Sequence, residues 1–458
     1  MKSKTPWGRL QRQLRPDEFS SEPSVLSAHS GDKWYATHLP DAVALPRSPE
    51  AVSKVLAFAS VHGVPVTPRG AGYGYVGSCV PVRGGIALSL AKLDRIIEIS
   101  AADFVAVVQP GVITQRLQTA VERRGLYYPP DPASRGDCTL GGNLATNAGG
   151  PRCLKYGVTR DYVLGLEVAL ADGSRVRLGG RTHKNKTGFD LHRLFVGSEG
   201  MLGVVTEATL KLIPRPPFRA CLGVGFDHMR QAARAIRAIF AAGFLPSALE
   251  VADAFTLRAA ERRTGSALLA GCDAHIIVEL DGQETSVRRE IGALARVIRT
   301  AQPRFVQRGL GDAGCERFWG LRREFSYSLR DTGLTKLNED IVVPRGRLEE
   351  LFRLTTRLQR KHRLSLACFG HAGDGNIHVN VMHRGDNAEE RARSEACLDD
   401  LFHGVLSLGG VITGEHGIGL AKLPWWSDAV SKEARQLHAT VKKALDPQGI
   451  LNPGKFLG

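Results

Sequence analysis

The sequence predicts an α+β protein of at least two domains. Up to about residue 214 short strands and helices alternate quickly, whereas from residue 218 onward the strands and helices are longer. The segment PRPPF at 214–218 separates the part with short elements from the part with longer ones and is the best domain boundary in the chain. A chain of 458 residues is also too long for one ordinary hydrophobic core.

The first part alternates helices with strands. The helix AVSKVLAFASVHG ends at Gly63 and the amphipathic helix ITQRLQTAVERRG ends at Gly125, since glycine suits the left-handed position that closes a helix. Strands are predicted at IALSL, RIIEIS, FVAVVQPGV and MLGVVTEATLKLIP, with a hairpin at VLGLEVALADGSRVRL that turns at Asp172-Gly173. The segment LYYPPDPASRGDCTLGGNLATNAGG, rich in glycine and proline, is predicted to be a long rigid loop.

The second part repeats strand–helix units. Strands are predicted at CLGVGF, AHIIVEL, DIVVP and IHVNVMH, and a helix follows each of them. Tandem units of this kind predict one antiparallel sheet covered by helices, a ferredoxin-like α+β domain. The C-terminal KKALDPQGILNPGKFLG is predicted to be a helix that ends in Pro-Gly turns.

The composition is that of an ordinary globular protein, with 43% hydrophobic and 23% charged residues. No run of apolar residues is long enough for a membrane span, and the N-terminus lacks the apolar region of a cleaved signal. The eight cysteines form no C-x-x-C pair, which argues against a zinc ribbon, an iron–sulfur cluster and a disulfide framework. We expect reduced thiols in a cytoplasmic protein.

The net charge of +15 is compatible with nucleic acid, an acidic membrane face or anionic ligands. The basic residues are spread along the chain, without the patch and module that nucleic-acid binding requires, so no nucleic-acid partner is expected. One short stripe, Arg9, Arg12 and Arg15, lies opposite Leu10 and Leu14. A solvated helix face explains it better than a helix for a membrane surface or a partner.

A literal G-x-G-x-x-G motif occupies Gly72–Gly77. A Rossmann site needs a strand before this motif and a helix after it. Here Pro65 and Pro68 precede it, and Pro81 and two glycines follow within eight residues, so no Rossmann helix fits. Two explanations remain equal on local features: a surface turn, or a nest of backbone N–H groups for phosphate with Arg69 beside it.

A second glycine-rich segment, Gly141–Gly150, lies about sixty residues further on. Its small residues allow a backbone to approach a bulky ligand, while its asparagine and threonine side chains offer directed hydrogen bonds. Two such segments in one domain indicate a large extended ligand with a pyrophosphate in the middle.

The densest polar cluster of the second part is GHAGDGNIHVN at 370–380. Alternation along its strand puts Asn376, His378 and Asn380 on one face, and His371 precedes them on a glycine-rich turn. The later motif GEHGIG adds Glu415 and His416. Two imidazoles and a carboxylate suit zinc, manganese or iron. The alternative, satisfied polar residues on a buried turn, is less favoured because three histidines and a glutamate all lie in glycine-bracketed turns.

The segment FWGLRREFS places Arg322 and Arg323 on a short helix near aromatic residues. One of them could bind a substrate carboxylate through two parallel hydrogen bonds. A surface arginine on an amphipathic helix explains this stretch equally well.

These motifs, in this order, resemble the FAD-linked oxidases of the vanillyl-alcohol-oxidase type, with a PCMH-type FAD-binding domain. The resemblance runs from about residue 38 to the C-terminus and rests on PRGAGYGYVG, DCTLGGNLATNAGG, KNKTGFDLHRLFVGSEGMLGVVTE, GHAGDGNIHVN, GEHGIG and DPQGILNPGK. The most similar branch is the D-2-hydroxyacid dehydrogenases, which include D-lactate dehydrogenase, D-2-hydroxyglutarate dehydrogenase and the FAD-binding subunit of glycolate oxidase. It implies a two-subdomain FAD-binding domain at 1–215, a ferredoxin-like substrate or cap domain at 216–423, and a segment at 424–458 that returns to the FAD domain.

The resemblance implies that the first glycine loop binds the FAD pyrophosphate and that the second lies along the flavin. It also maps the segment of Lys184, Asn185, Thr187 and Gly188 to the same domain. Position 73 is usually Thr or Ser in the family and is Tyr73 here, and no histidine in 68–81 could tether the flavin, so non-covalent FAD is expected. The implied cofactor residues are Arg69, Gly70, Ala71, Gly72, Tyr73, Gly74, Ser78, Pro130, Asp131, Cys138, Gly141, Gly142, Asn143, Thr146, Asn147, Gly203 and Val204.

The resemblance also implies a divalent metal, often zinc in the family, held by His371, His378 and Glu415. His416 would be the base, and Arg322 and Asn380 would contact substrate. The hypothesis is oxidation of a small anionic D-2-hydroxyacid to the 2-oxoacid, with hydride transfer to flavin N5.

Electrons would then pass to a quinone or to an acceptor protein such as an iron–sulfur subunit. We expect a homo-oligomer or a subunit of a complex in the cytoplasm, with peripheral contact at the inner membrane face as an open option. The alternatives are the FAD-binding subunit of a glycolate-oxidase-type complex, another FAD oxidase of this fold, and a non-catalytic FAD- or anion-binding subunit.

Overall fold

A computed structural model describes residues 7–269 and 271–457 of the chain. The chain forms two compact units. The first contains the chain up to Gly149, Val158–Arg215 and the chain from Glu415 onward. The second contains Gly150–Gly157 and Pro216–Gly414. The mixture of helices and sheets agrees with the predicted α+β class.

The first unit contains a four-stranded, a five-stranded and a two-stranded sheet. The four-stranded sheet has the order Phe19–Ser20, Ala42–Ala44, Ile86–Ser89 and Val66–Arg69, and all its pairs are parallel except the first. The five-stranded sheet is antiparallel, in the order Ile96–Ser100, Val105–Val108, Val204–Lys211, Val163–Ala169 and Arg175–Gly179. Ile213–Pro214 pairs with Leu126–Tyr127. The predicted hairpin at Asp172-Gly173 is confirmed, with Gly173 at φ 85°.

Capping residues set the ends of the helices in the first unit. Ser48 accepts a hydrogen bond from the Ala51 N–H at the start of the helix Pro49–His62, and Gly63 closes that helix in the left-handed conformation, as predicted. The α-helices of this unit are Trp7–Gln11, Pro23–Ala28, Pro49–His62, Thr114–Glu122, Leu140–Thr146, Leu191–Phe195, Trp426–Ala429 and Lys432–Leu445.

The core of the first unit includes both ends of the described chain. Leu10 is fully buried in it, and Trp7 packs against it, so the apolar side of the N-terminal helix is covered by the protein itself. Ile450 and Leu451 belong to the same core, and Leu451 forms a parallel bridge with Val66. The segment 424–458 therefore packs within the first unit.

The prediction of a loop throughout 126–150 was wrong in its second half. Leu140–Thr146 is a helix, and the Thr139 hydroxyl accepts from the Gly142 N–H at its start. Two adjacent glycines argue against a helix by propensity. Here the threonine cap and the packing of Gly141 against Pro110, where a Cβ would lie 2.6 Å from the proline ring, outweigh that preference.

The second unit is built on a seven-stranded antiparallel sheet, as the tandem units predicted. Its first four strands in chain order are arranged 4-1-3-2, the order of a ferredoxin-like βαββαβ unit. Across the sheet the strands are Phe305–Leu310, Phe218–Phe226, Ala274–Gly282, Ala248–Asp253, Ser365–His371, Asn376–His383 and Thr335–Val342.

Three of these strands were missed by the sequence analysis: Ala248–Asp253, Phe305–Leu310 and Ser365–His371. They are short and their patterns are interrupted by glycines or charges. As a consequence His371, predicted on a turn, is the last residue of a strand.

Most helices of the second unit connect its strands, whereas Cys153–Tyr156 lies in the segment 150–157 and Ala388–Ser407 follows the last strand. Their bounds are Cys153–Tyr156, Met229–Ala241, Ala254–Thr264, Glu284–Arg299, Gly311–Arg330, Leu348–His362 and Ala388–Ser407. The predicted short helix at FWGLRREFS is part of the 20-residue helix Gly311–Arg330.

Glu279, fully buried in the sheet, attaches the short segment 150–157 to the second unit. Its carboxylate accepts hydrogen bonds from Arg152, from Arg219 and, at 2.7 Å, from the Trp319 Nε1. Burial alone would raise the pKa of Glu279, but the two arginines outweigh burial and lower it. This carboxylate thus has a structural role.

All eight cysteines are free thiols, and six are buried, which agrees with their interpretation as reduced core residues. Among the described residues no helix combines the length and the apolar character that crossing a bilayer demands.

His275 makes the stability of the second unit depend on pH. It is 1% exposed, and burial lowers its pKa to about 4. Because an unfolded histidine titrates near 6.5, the unfolded state gains its proton first as the pH falls. We therefore expect His275 to cost roughly 2–3 kcal/mol of stability at pH 4.5 relative to neutral pH.

Urea unfolding at pH 7 and pH 4.5 checks this expectation with the variant His275→Gln. The loss of stability between the two pH values should be smaller in this variant than in the wild type by about that amount. The exposed-histidine variant His183→Ala serves as the control and should lose as much as the wild type. Equal losses in all three proteins would contradict the prediction.

Candidate functional site

The two glycine-rich segments meet in the first unit. Gly70 lies against the second segment so closely that a Cβ on it would be 2.6 Å from the Thr139 hydroxyl and 3.1 Å from the Gly142 nitrogen. Only glycine fits this approach. The packing brings together two segments that the sequence analysis could associate only by their composition.

The first loop offers unused backbone donors. Within 7–269 and 271–457 no hydrogen bond is donated by the N–H groups of Gly70, Ala71, Gly72 and Gly74. Gly72 has φ +72°, and a Cβ there would collide with the Arg69 guanidinium. Clustered N–H groups in a glycine loop form an anion-binding nest. The loop therefore fits the pyrophosphate of FAD, which favours the phosphate nest over the surface turn among the two explanations that its sequence allowed.

The side chain of Arg69 supports the loop from behind. Its guanidinium donates to the Gly31 carbonyl and, at 3.2 Å, to the Cys79 sulfur. The neighbouring Asp32 carboxylate accepts from the Gly77 N–H at 2.9 Å. The segment around Gly31 thus holds both ends of the loop in place.

Tyr73, the departure from the family pattern, contacts this same segment. The ammonium group of Lys33 lies 4.5 Å from the centre of the Tyr73 ring, which is a cation–π distance. The Lys33 N–H donates to the Gly74 carbonyl at 2.9 Å.

Several predicted polar contacts of the second segment are made within the protein. Asn143 is buried and donates to the Thr114 hydroxyl at 2.7 Å, and the Thr146 hydroxyl donates to the Gly142 carbonyl. Asn147 adopts the left-handed conformation at φ 52° and accepts from the Arg160 N–H. These side chains shape the segment, so its backbone and small residues are what remain for a flat ligand.

The other predicted cofactor residues lie in the same unit. Cys138 is buried beside Thr114, and burial raises its pKa, so it is an unreactive thiol. Asp131 is buried, and the Pro130 carbonyl accepts from Gln118 at 2.9 Å. Gly203 has no room for a Cβ, which would lie 2.6 Å from Val168. Val204 begins a central strand opposite Ala169.

Glu199 joins three sequence motifs. Its carboxylate accepts from the Ser78 hydroxyl at 2.8 Å, from the Ile418 N–H at 2.7 Å and from the Gly419 N–H at 2.9 Å. Its own N–H donates to Ala145. Burial raises the pKa of Glu199, and the three donors oppose that rise. One carboxylate therefore connects the GEHGIG motif to the glycine-rich loop 68–78, which is called the phosphate loop after its predicted ligand.

His416 lies in the segment that Glu199 holds. Its ring is 5.4 Å from the ring of Tyr75 in the phosphate loop. The same segment is fixed by Val76, whose carbonyl accepts from the Leu420 and Ala421 N–H groups. The imidazole of His416 is thus placed next to the predicted FAD loop.

In the second unit the predicted histidine pair is brought together. His371 and His378 lie on adjacent strands, with ring centres 5.6 Å apart and a ring nitrogen of each within 4.8 Å of the other. His371 is 5% exposed. Two converging imidazole nitrogens in a partly buried place are the donor set of a transition metal, so these residues fit a divalent ion.

Glu415 directly follows a residue that packs against the strand of His378. The Gly414 N–H donates to the Asp340 carboxylate at 2.9 Å, and a Cβ on Gly414 would lie 2.5 Å from the Asn376 amide. Glu415 is the next residue after Gly414.

Arg322 is anchored by an acid that the sequence analysis did not select. Its Nε donates to Glu250 at 2.6 Å, and its guanidinium lies 4.9 Å from the centre of the Phe369 ring. The other oxygen of Glu250 accepts from the His371 Nδ1 at 2.6 Å. Burial alone would raise the pKa of Glu250, but His371 and Arg322 outweigh burial and hold it at about 2. Arg323, in contrast, is exposed and pairs with Glu316.

Asn380 is fully buried on the strand of His378. Its amide nitrogen donates to the Ala367 carbonyl at 3.2 Å, while its Oδ1 has no hydrogen-bond partner among the described residues. Asn376, on the same strand, likewise donates its amide nitrogen to a backbone carbonyl, that of Ile341. An unsatisfied buried amide oxygen is unusual and marks this place as polar.

The sequence analysis selected neither Glu199 nor Glu250, although Glu199 lies within the motif KNKTGFDLHRLFVGSEGMLGVVTE. Each does carry a weaker signal. Glu250 interrupts the apolar run ALEVA, and Glu199 stands between glycines in GSEG. Because a buried carboxylate needs partners, an acid inside an apolar or tightly packed segment indicates a hydrogen-bonded network.

Comparisons with known proteins agree with this arrangement. Residues 40–179 match the FAD binding domain, and residues 215–456 match the FAD linked oxidases, C-terminal domain. The glycolate oxidase subunit GlcD of Bacillus subtilis is 39% identical over 91% of this chain and 89% of that protein. A D-lactate dehydrogenase of Anaerostipes hadrus is 34% identical over 97% of this chain and 94% of that protein.

The fold is also found in solved structures. p-Cresol methylhydroxylase with substrate bound superposes with a TM-score of 0.82 over 99% of this chain and 97% of that one, at 18% identity. At this identity the likeness concerns the fold, which is that of the PCMH-type FAD proteins. The matches over both parts of the chain show that it belongs to the FAD-linked oxidases and is an FAD-dependent oxidoreductase.

Proposed function

We propose that this protein oxidises a small D-2-hydroxyacid, of the glycolate, D-lactate and D-2-hydroxyglutarate class, to the 2-oxoacid with FAD as electron acceptor. The observation that carries the proposal is the hydrogen bonding of Glu199, which joins the phosphate loop to the segment of His416. Relatives of high coverage named for D-lactate and glycolate oxidation support the substrate class.

We assign 1–215 and 424–458 to flavin binding and 216–423 to substrate binding. The N–H groups of 70–74 would hold the pyrophosphate non-covalently, with Ser78 and Arg69 shaping the loop. The second segment and Gly203-Val204 would approach the ring through backbone and small residues. FAD, when bound, supplies the two-electron acceptor for the reaction.

His371 and His378 would hold a divalent ion, and Glu415 would be the third protein ligand. Such an ion, zinc being the first candidate, would supply Lewis-acid polarisation of the substrate hydroxyl. The imidazole geometry supports the first two ligands. Glu415 is included because it matches the family motif and follows Gly414, which packs on the same strand.

The residues of the chain would perform two further tasks. Arg322 uses its Nε for Glu250, which leaves both terminal nitrogens for a carboxylate in the fork geometry that arginine favours. Asn380 would offer its unsatisfied oxygen to the substrate hydroxyl or to an ordered water. His416 would accept the hydroxyl proton as the general base, while the C2 hydrogen leaves as hydride.

A second candidate is the same chemistry within a larger complex. The Bacillus subtilis relative is named as a subunit of glycolate oxidase, so this chain would then be the FAD-binding subunit that passes electrons to a partner. A quinone or an iron–sulfur subunit would be a suitable acceptor. Other FAD oxidases of this fold remain alternatives, against which the histidine pair and Arg322 argue.

The visible spectrum of the purified protein is the first test of the proposal. We expect flavin absorption that bleaches under nitrogen on addition of D-lactate, glycolate or D-2-hydroxyglutarate, because the substrate reduces bound FAD. The L-enantiomer of lactate serves as the control. Flavin bands that persist with every one of these acids would contradict the proposed substrate class.

His416→Ala tests the proton acceptor. Loss of a general base costs about 100-fold to 10,000-fold in rate. Stopped-flow reduction of the bound flavin should therefore slow by at least about 100-fold, with the FAD content unchanged. His183→Ala, which removes an exposed histidine of the same unit, should reduce at the wild-type rate. Wild-type reduction by the His416→Ala variant would exclude the assigned role.

Glu199→Gln tests the connection between the two motifs. An amide oxygen cannot replace a carboxylate that accepts three hydrogen bonds, and each bond to a charged acceptor is worth about 1.5–3 kcal/mol. Hydrogen exchange at the Ile418 and Gly419 amides should become at least about 10-fold faster. The control is Glu207→Gln, which removes a carboxylate paired with Arg177 on the surface of the same unit. Unchanged exchange at both amides would mean that Glu199 does not hold this segment.

A further inference from the structure

We propose that Glu250 is a positioning residue that sets, through one carboxylate, both the metal-binding nitrogen of His371 and the orientation of Arg322. The inference rests on the proposed function and adds to it a residue that no motif marks. Glu250 would touch neither metal nor substrate. It would act only through its two partners.

The first half of the argument concerns His371. Its Nδ1 lies 2.6 Å from a Glu250 oxygen, and a carboxylate can only accept in this bond. The proton of a neutral His371 is therefore on Nδ1, and Nε2 carries the lone pair that a metal would take. A histidine that binds a metal through one ring nitrogen is usually oriented by a hydrogen-bond partner on the other nitrogen. Loss of this partner typically lowers metal affinity by about 10-fold to 100-fold.

The second half concerns Arg322. The other Glu250 oxygen accepts from Nε at 2.6 Å, and the guanidinium packs on the Phe369 ring at 4.9 Å. Together these contacts fix the plane of the guanidinium. The two terminal nitrogens donate no hydrogen bond among the described residues, which leaves them available to a carboxylate.

The backbone of the sheet fixes Glu250 relative to His371. The two residues lie opposite each other in the register of their antiparallel strands. Glu250 is 1% exposed, and its neighbours along the strand, Leu249 and Val251, are buried apolar residues. A carboxylate is costly in such a place, and an apolar side chain would serve packing alone at least as well.

Glu279 provides a natural comparison within the same sheet. It is also fully buried, but it accepts hydrogen bonds from Arg152, Arg219 and Trp319, which have no place in the proposed chemistry. Both partners of Glu250, in contrast, belong to the proposed site. The two acids therefore separate the cost of losing a buried carboxylate from the loss of a positioning group.

A glutamine at position 250 could not do both tasks. Its oxygen can accept from the His371 Nδ1–H or from the Arg322 Nε–H, but its amide group then faces the other donor. If the amide donates to Nδ1 instead, the proton of His371 moves to Nε2, and the metal-binding lone pair is lost. Either arrangement predicts a defect in metal binding, in carboxylate binding, or in both.

The experiment compares the full-length, FAD-loaded wild type with Glu250→Gln and Glu279→Gln. Zinc affinity is measured by competition with a chromogenic chelator, and KM and kcat are measured for D-lactate. For Glu250→Gln we expect zinc affinity to fall by about 10-fold to 100-fold and KM to rise, with FAD content unchanged. Glu279→Gln should lower the melting temperature while KM stays at the wild-type value.

A variant pair keeps the inference testable if Glu250→Gln folds poorly. Glu250→Asp retains the charge but is one methylene shorter, and it should recover part of the zinc affinity. In a His371→Gln background, Glu250→Asp should change zinc affinity no further, because Glu250 acts through that histidine.

Three results would overturn the inference. These are wild-type zinc affinity in folded Glu250→Gln, an equal rise of KM in Glu279→Gln, and no zinc binding by the wild type. The last would remove the metal assignment as well. The proposed oxidation is judged separately, by bleaching of the flavin in the wild type, so the two failures remain distinguishable.

Discussion

The arrangement of the first unit depends on one buried carboxylate. Glu199 is 6% exposed and accepts three hydrogen bonds, two of them from consecutive backbone N–H groups in the GEHGIG motif. Its own backbone is in the left-handed region at φ 49°, where a glutamate is strained. Desolvation of a charge and a strained backbone are both costly, and the three donors offset them. Without these donors the buried carboxylate would destabilise the folded state, so the motif and Glu199 stabilise each other.

The same principle recurs in the second unit with different partners. Glu250 and Glu279 lie in neighbouring strands, and each accepts from an arginine and from a second type of donor. Acids inside a sheet define where the arginines must be, because an arginine withdrawn from water needs a planar acceptor. The hydrogen bond from Arg152 to Glu279 fixes the segment 150–157 onto the sheet. The hydrogen bonds of Glu250 fix His371 and Arg322, the two groups that the proposed chemistry uses.

The sequence predicted most of the architecture because its signals were local. Glycine caps, the Asp172-Gly173 turn and the antiparallel sheet of the second unit follow from spacing and turn chemistry. The helix at Leu140–Thr146 could not be predicted from propensity, since it depends on close packing with Pro110 and on a threonine cap. His371 and Arg322 were selected, but Glu250 was not, because its partners are 121 and 72 residues away in the chain. Contacts at such separations leave no periodicity or motif behind.

The placement of Tyr73 explains how the phosphate loop accommodates its one departure from the family pattern. A phenol is much larger than a threonine or serine side chain, and on the inner side of the loop it would fill the space of a phosphate. The Tyr73 ring instead packs beside Lys33, in the segment that also supplies the Asp32 carboxylate to Gly77. The N–H groups of Gly70, Ala71, Gly72 and Gly74, which donate no hydrogen bond among the described residues, belong to the backbone and do not depend on the side chain at 73. The tyrosine ring therefore contacts Lys33, and the anion site that we propose needs only the backbone N–H groups of the loop.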